Sequence, residues 1–161
     1  AIRARVGANF PIIFRFSQWK QQDYNARLAQ TPEELKAFLT PLVEAGVDIF
    51  HCSTRRFWEK EFEGSDINLA GWTKELTGTV GRVGLDSSFI DEAGSSLGMS
   101  DKAGVSSGSI QQLSDRVKLG EFDLVAVGRA LLQDPEWVIK VRDNRLDELQ
   151  DFSKASLMKL I

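Results

Sequence analysis

At 161 residues and 42% hydrophobic content, the chain is long enough for one globular domain with a sizeable core. A net charge of −3, with both signs mixed throughout, argues against a nucleic-acid-binding face. A single cysteine, Cys52, excludes a disulfide framework and a thiolate metal cluster, and no run approaches the ~20 apolar residues of a membrane-spanning helix. No signal peptide pattern opens the sequence, so the expected location is cytoplasmic. The first residue is Ala1 rather than Met, inside what reads as a helix end (Ile2-Arg-Ala-Arg-Val-Gly7), which suggests a fragment.

In chain order the pattern predicts four strand-plus-helix units. The first strand is Pro11-Ile-Ile-Phe-Arg-Phe16, and a polar stretch of little periodicity follows it to Gln30. Thr31-Pro32-Glu33-Glu34 is a capping box with proline at the first helical position. Leu35, Phe38, Leu39, Leu42 and Val43 then form one apolar helical stripe. Pro41 inside that stripe predicts a kink or a short break, and Gly46 is the C-cap candidate. The second strand is Val47-Asp-Ile-Phe-His-Cys52, followed by a long loop from Ser53 to Asn68 and a short helix near Leu69 to Leu76.

The third strand, Thr79-Val-Gly-Arg-Val-Gly-Leu85, contains two glycines, which often mark close approach of a ligand or another backbone. Asp86 to Gly108, rich in Ser and Gly, reads as loop with room for one helical turn. Ser109 with Gln112 three residues on predicts a cap for a helix lined by Ile110, Leu113 and Val117 and ended by Gly120. The fourth strand is the apolar run Leu124 to Val127, bounded by Gly128 and Arg129. Glycine lets a backbone approach a ligand closely, and a guanidinium suits a phosphate bidentately; the alternative is a tight turn beside a solvated charge. Asp134 with Pro135 behind it predicts a further helix start.

Leu42-Val-Glu-Ala-Gly-Val-Asp-Ile-Phe50 and Val117-Lys-Leu-Gly-Glu-Phe-Asp-Leu-Val125 echo one another: apolar helix end, Gly, Asp, apolar strand. Helices alternating with buried strands imply βαβ units and a parallel sheet, either a (β/α) barrel or an open doubly wound sheet. No Gly-rich dinucleotide fingerprint follows any strand, because Gly81-Arg-Val-Gly84 has the wrong spacing. Arg15, the segment Ser53 to Trp58, Gly81-Arg82 and Gly128-Arg129 fall at expected carboxyl ends of strands, where barrels bind ligands, and the barrel is favoured. His51 and Cys52 invite a metal or nucleophile reading. One His and one Cys cannot complete a tetrahedral site, and no second histidine exists to activate the thiol, so both are expected to be structural.

Phe14-Arg-Phe-Ser17, His51-Cys-Ser-Thr-Arg-Arg-Phe-Trp58 with Asn68-Leu-Ala-Gly-Trp72, Val80-Gly-Arg-Val-Gly84 and Val125-Ala-Val-Gly-Arg-Ala130 carry a resemblance. In that order, over nearly the whole chain, they are similar to the Old Yellow Enzyme family of FMN-dependent NAD(P)H:flavin oxidoreductases, or ene-reductases. The resemblance implies that residues 1–161 are the C-terminal half of a (β/α)8 TIM barrel of the α/β class, strands five to eight with their helices. It implies FMN as cofactor, NAD(P)H as reductant and an activated alkene as substrate. By resemblance Arg15 meets the N1/O2 edge of the isoalloxazine. Gly81 with the backbone of Arg82 matches the first phosphate-binding turn, and Gly128 with Arg129 the second. Phe57 and Trp58 resemble aromatics of a loop roofing flavin and substrate, or they are apolar packing under that loop; Arg55 and Arg56 belong to that loop or are solvated charges.

Departures from the family pattern are equally clear. The family's substrate-anion pair and tyrosine proton donor have no counterpart here, and the one tyrosine, Tyr24, falls in the wrong segment. The catalytic residues are therefore unassigned. The strand after Gly78 is a few residues short, and Arg82 stands where a small or amide residue is more frequent. Four units cannot close a barrel that takes ~250 residues, so the expected partner is the N-terminal half of the same barrel, or a second copy of this chain. The alternatives are a non-catalytic half-barrel that keeps only its phosphate turns, and another phosphate-binding barrel such as an aldolase or isomerase. The latter needs a lysine or glutamate at a strand end, and none is convincingly placed.

Overall fold

The computed structural model describes residues 1–20, 22–23, 25–54, 57–78, 80–84, 107–150 and 152–158, with backbone alone at 80–84, 107–109, 129 and 154. Tyr24, Arg55, Arg56 and most of the Ser/Gly-rich segment (86–106) lie outside the described residues. A short helix α1 (Ile2–Val6) precedes strand β1 (Ile13–Phe16), helix α2 (Pro32–Glu44) and strand β2 (Ile49–Ser53). Helix α3 (Leu69–Thr77), strand β3 (Val80–Gly84), helix α4 (Ser107–Lys118) and strand β4 (Leu124–Ala126) follow. Helices α5 (Arg129–Gln133) and α6 (Trp137–Arg142) lead to two short 3-10 turns at Leu146–Glu148 and Lys154–Met158. Among the described residues, no helix is long and apolar enough to cross a membrane.

Local chemistry accounts for most of these boundaries. Thr31 caps α2 by accepting from the Glu34 amide at 3.3 Å, and the Glu34 carboxylate reaches back to the Gln30 amide at 2.7 Å. Both echo segments close their helices alike. After α2, Gly46 (φ 91°) donates to the Val43 carbonyl and Val47 to Leu42; after α4, Gly120 (φ 75°) donates to Val117 and Glu121 to Arg116. This pair of bonds is a Schellman motif, and its left-handed residue is why glycine recurs there.

The strands are trimmed or shifted by one or two residues (Ile13–Phe16, Ile49–Ser53, Leu124–Ala126), and three expectations for the helices also change. Helix α2 runs through Pro41 without a break, because Leu35 and Leu39 are fully buried and only three residues follow the proline before Ala45. Helix α4 begins at Ser107, so Ser109 lies in its first turn instead of capping it. Asp134 ends α5 and starts a turn: its carboxylate accepts from the Glu136 amide at 3.1 Å, and α6 begins only at Trp137.

The four strands form one sheet in the order β1-β2-β3-β4, every neighbouring pair parallel. The register aligns Arg15 with His51, His51 with Arg82, and Arg82 with Leu124; at the carboxyl edge Ser53, Gly84 and Ala126 stand level. The two faces are unequal. On one, Phe16, Phe50 and Cys52 are buried in a cluster with Leu35, Leu39, Leu69, Ala70 and Leu113. Phe50 receives Phe14 and Phe16 edge-on, at centroid distances of 6.3 and 6.2 Å. On the other face Ile13 and Leu124 remain 48% and 44% exposed, and Arg15, Ile49, His51 and Ser53 are none of them buried. A smaller cluster of Ile110, Ala130 and Trp137 joins α4, α5 and α6.

Candidate functional site

The less buried face carries Arg15, the candidate residue on β1. Alternation along β1 places Arg15 opposite Phe14 and Phe16, and its exposed guanidinium donates from Nη2 to Ser53 Oγ at 3.0 Å. Gly128, two residues beyond β4, precedes α5 directly, so Arg129 opens that helix. Arg15 and the Gly128-Arg129 turn thus share the carboxyl half of the sheet. Gly81 and Arg82 are the second and third residues of β3 and lie within the strand, not in a turn beyond it; their ladder partners on β2 are Phe50 and His51. The β3 residue at the carboxyl edge is Gly84.

The two aromatics of the β2–α3 loop part company. Phe57 is 2% exposed and joins the main core cluster, with the Arg116 guanidinium over its ring at 6.0 Å. Trp58, 39% exposed, meets Phe57 edge-on at 5.0 Å. Trp58 also borders a groove of about 700 Å³ walled by Lys60, Asp66 and the α4 residues Gln111, Gln112, Asp115 and Arg116. Neither Arg15 nor Gly128 is among its described lining residues.

That loop is held at both ends. Asn68, fully buried, caps α3 by accepting from the Gly71 amide at 2.9 Å and donates from Nδ2 to the Phe57 carbonyl at 2.8 Å. Arg116 donates to the same carbonyl at 2.7 Å and is ion-paired with Glu121, whose Oε1 also accepts from the Asn68 amide at 3.1 Å. Midway along the loop, the Glu61 carboxylate accepts from Gln18 Nε2 at 2.8 Å and pairs with Arg27, joining this loop to the loop after β1. Gln18 closes that neighbouring loop by bonding both the amide and the carbonyl of Ala29. Burial raises the Glu61 pKa above its ordinary value, against the lowering effects of Gln18 and Arg27.

Cys52 is fully buried, with its thiol 3.4 Å from Thr73 Oγ1, and burial pushes its pKa up to about 12. It packs as a small apolar residue. Among the described residues no group of three His, Cys, Asp or Glu could hold a metal ion.

Ser53 and Asn68 lie in the quoted motifs without an individual role assigned there, and Glu61 and Arg116 lie in none of them. Asn68 had a readable signal, an N-cap residue directly ahead of the apolar pair Leu69-Ala70, and Ser53 shares the face of His51 by simple alternation. Arg116 and Glu61 had none, because their partners lie far away in sequence.

No protein-family model matches the chain. It is 29% identical over 151 residues, 92% of its own length, to an NADH oxidase of Thermoanaerobacter brockii. The chain spans 20% of that protein's length. The likeness is thus to an oxidoreductase.

Proposed function

We propose that this chain is the C-terminal half of an FMN-dependent NAD(P)H oxidoreductase barrel of ene-reductase type, contributing strands five to eight. The observation that carries the reading is a parallel sheet in sequential order with one face packed by helices and the other less buried among the described residues, with the Arg15 guanidinium on the less buried face. A parallel sheet ordinarily has both faces covered, and barrel closure is one way to cover the second. The similarity to an NADH oxidase supports the redox class.

The residues present suit a flavin mononucleotide. Arg15 offers a positive charge, on a planar guanidinium, to the N1/O2 edge of the isoalloxazine. Gly128 and Arg129 offer backbone approach and a guanidinium for the phosphate at the end of β4; Gly81 and Arg82 contribute from β3. When bound, FMN supplies hydride transfer between NAD(P)H and an activated alkene. Arg15 would stabilise negative charge on the ring, and Trp58 offers an exposed apolar surface on the loop after β2. The less buried face and the two strand edges are completed by the N-terminal half of the same barrel or by a second copy of this chain, since exposed ladders and apolar strips favour association.

FMN titration tests the reading. The protein should bind flavin, take on the visible absorbance of a bound flavin, and lose affinity on Arg15→Ala. A chain that neither binds FMN nor recovers binding when mixed with an N-terminal half-barrel would leave a non-catalytic half-barrel in its place. Light scattering that shows a monodisperse 18.0 kDa species would exclude the self-associated form.

A further inference from the structure

We propose that the groove bordered by Trp58 is a binding site for an adenine base, carried by adenosine or by the adenosine end of NAD(P)H. The dinucleotide source rests on the oxidoreductase reading above; the site itself does not.

The groove lies between the β2–α3 loop and helix α4, and its volume of about 700 Å³ falls in the ~300–1,000 Å³ range of small-molecule sites. Trp58 brings to it an indole that is 39% exposed. Its edge-on contact with Phe57, whose carbonyl accepts from both Asn68 and Arg116, seats that indole on the core. An aromatic face held in this way stacks a planar heterocycle with little loss of conformational freedom.

The charges around the groove are committed to one another. Lys60 pairs with Asp66, Arg116 with Glu121, and Lys118 with Asp115 at 3.6 Å. A phosphate therefore meets no uncommitted cation among the described lining residues, and the part of a ligand recognised here is uncharged. Gln111 is committed too, donating from Nε2 to Asp115 Oδ1 at 2.9 Å. Gln112 differs: it is exposed, lines the same groove, and makes no hydrogen bond among the described residues. A glutamine amide carries a donor and an acceptor side by side, the complement of adenine N7 and its 6-amino group. The Asp115 carboxylate, 54% exposed, supplies acceptors for ribose hydroxyls. A stacking surface, a bidentate edge and a hydroxyl acceptor on one groove specify a nucleoside.

Saturation-transfer NMR on the full, flavin-free chain tests the site with adenosine as the probe. The adenine ring protons should receive saturation from the protein, and titration should reach a plateau. Trp58→Ala should weaken adenosine binding roughly five- to a hundredfold, the scale of one base–aromatic stack. Trp58→Phe keeps a ring against Phe57, so it should retain most of the affinity and separates stacking from a folding defect. Gln112→Met, similar in size at an exposed helical position, should weaken binding roughly three- to tenfold, the scale of one hydrogen bond. NADH should displace adenosine, and reduced nicotinamide mononucleotide, which lacks the adenosine, should not. Trp58-dependent adenosine binding that NADH fails to displace upholds the site and assigns it to a free nucleoside. No saturable adenosine binding, binding that Trp58→Ala or Gln112→Met leaves unchanged, or equal binding of methyl glucoside overturns the proposal. Trp58-dependent adenosine binding by a chain that binds no FMN overturns the flavin reading and upholds the site.

Discussion

Replacement of Asn68 by alanine isolates the structural role of the β2–α3 loop. The side chain is fully buried and makes two bonds, accepting from the Gly71 amide at 2.9 Å and donating to the Phe57 carbonyl at 2.8 Å. Their losses are unequal. The Phe57 carbonyl keeps the Arg116 guanidinium at 2.7 Å, so it remains satisfied. The Gly71 amide, itself buried, loses its side-chain partner. Loss of an N-cap costs ~1 kcal/mol, and a further hydrogen bond contributes ~0.5–1.5 kcal/mol, so Asn68→Ala should destabilise by about 2 kcal/mol. For a domain of this size that is roughly a 4–8 °C fall in Tm. Asn68→Ser keeps a cap acceptor and gives up only the link to Phe57, so it should lose about half as much. Asn68→Asp also keeps the cap but sets a buried charge beside Glu121, and it should be at least as damaging as alanine. Urea unfolding of the three variants provides the test. Equal losses for alanine and serine, or an alanine loss below about 0.5 kcal/mol, would refute the assignment of the cap as the larger contribution.

Glu61 has a pKa raised above 4.5 by burial, so its protonated form is the one the fold favours; its contribution is present below the ordinary value and is lost as pH rises through the raised one. Against Glu61→Gln, wild-type stability should therefore decline between these two values, and a relative gain with rising pH would contradict the sign. Cys52, with its pKa pushed up to about 12, should resist thiol reagents at pH 8 until the protein unfolds, and modification faster than unfolding would show the burial to be wrong. Arg129→Ala should weaken FMN binding by roughly 1.5–3 kcal/mol, the scale of a charge-assisted hydrogen bond. Equal affinities by flavin titration would remove Arg129 from the phosphate site.

What the amino-acid sequence determined by itself is whatever depends on neighbours in the chain. Thr31 three residues ahead of Glu34 specifies a helix start, and Gly46 and Gly120 specify two identical helix ends, because the atoms that bond there lie within six residues of one another. Alternation in Ile49–Ser53 likewise fixes which side chains share a face, since the pleat has a period of two. Tertiary structure alone decided the rest. That Phe57 is core and Trp58 is surface could not be read from two adjacent aromatics, because burial depends on Arg116 arriving from 59 positions away. The pairing of Arg15 with Ser53 spans 38 positions and exists only in the register that sets Arg15 beside His51. The same register places Gly81 and Arg82 inside β3, where their motif suggested a turn, and Gly84 at the sheet edge. Register is a property of several strands at once: a shift by one residue would reverse every face, and the packing of Phe16, Phe50 and Cys52 against the helices selects the alignment observed.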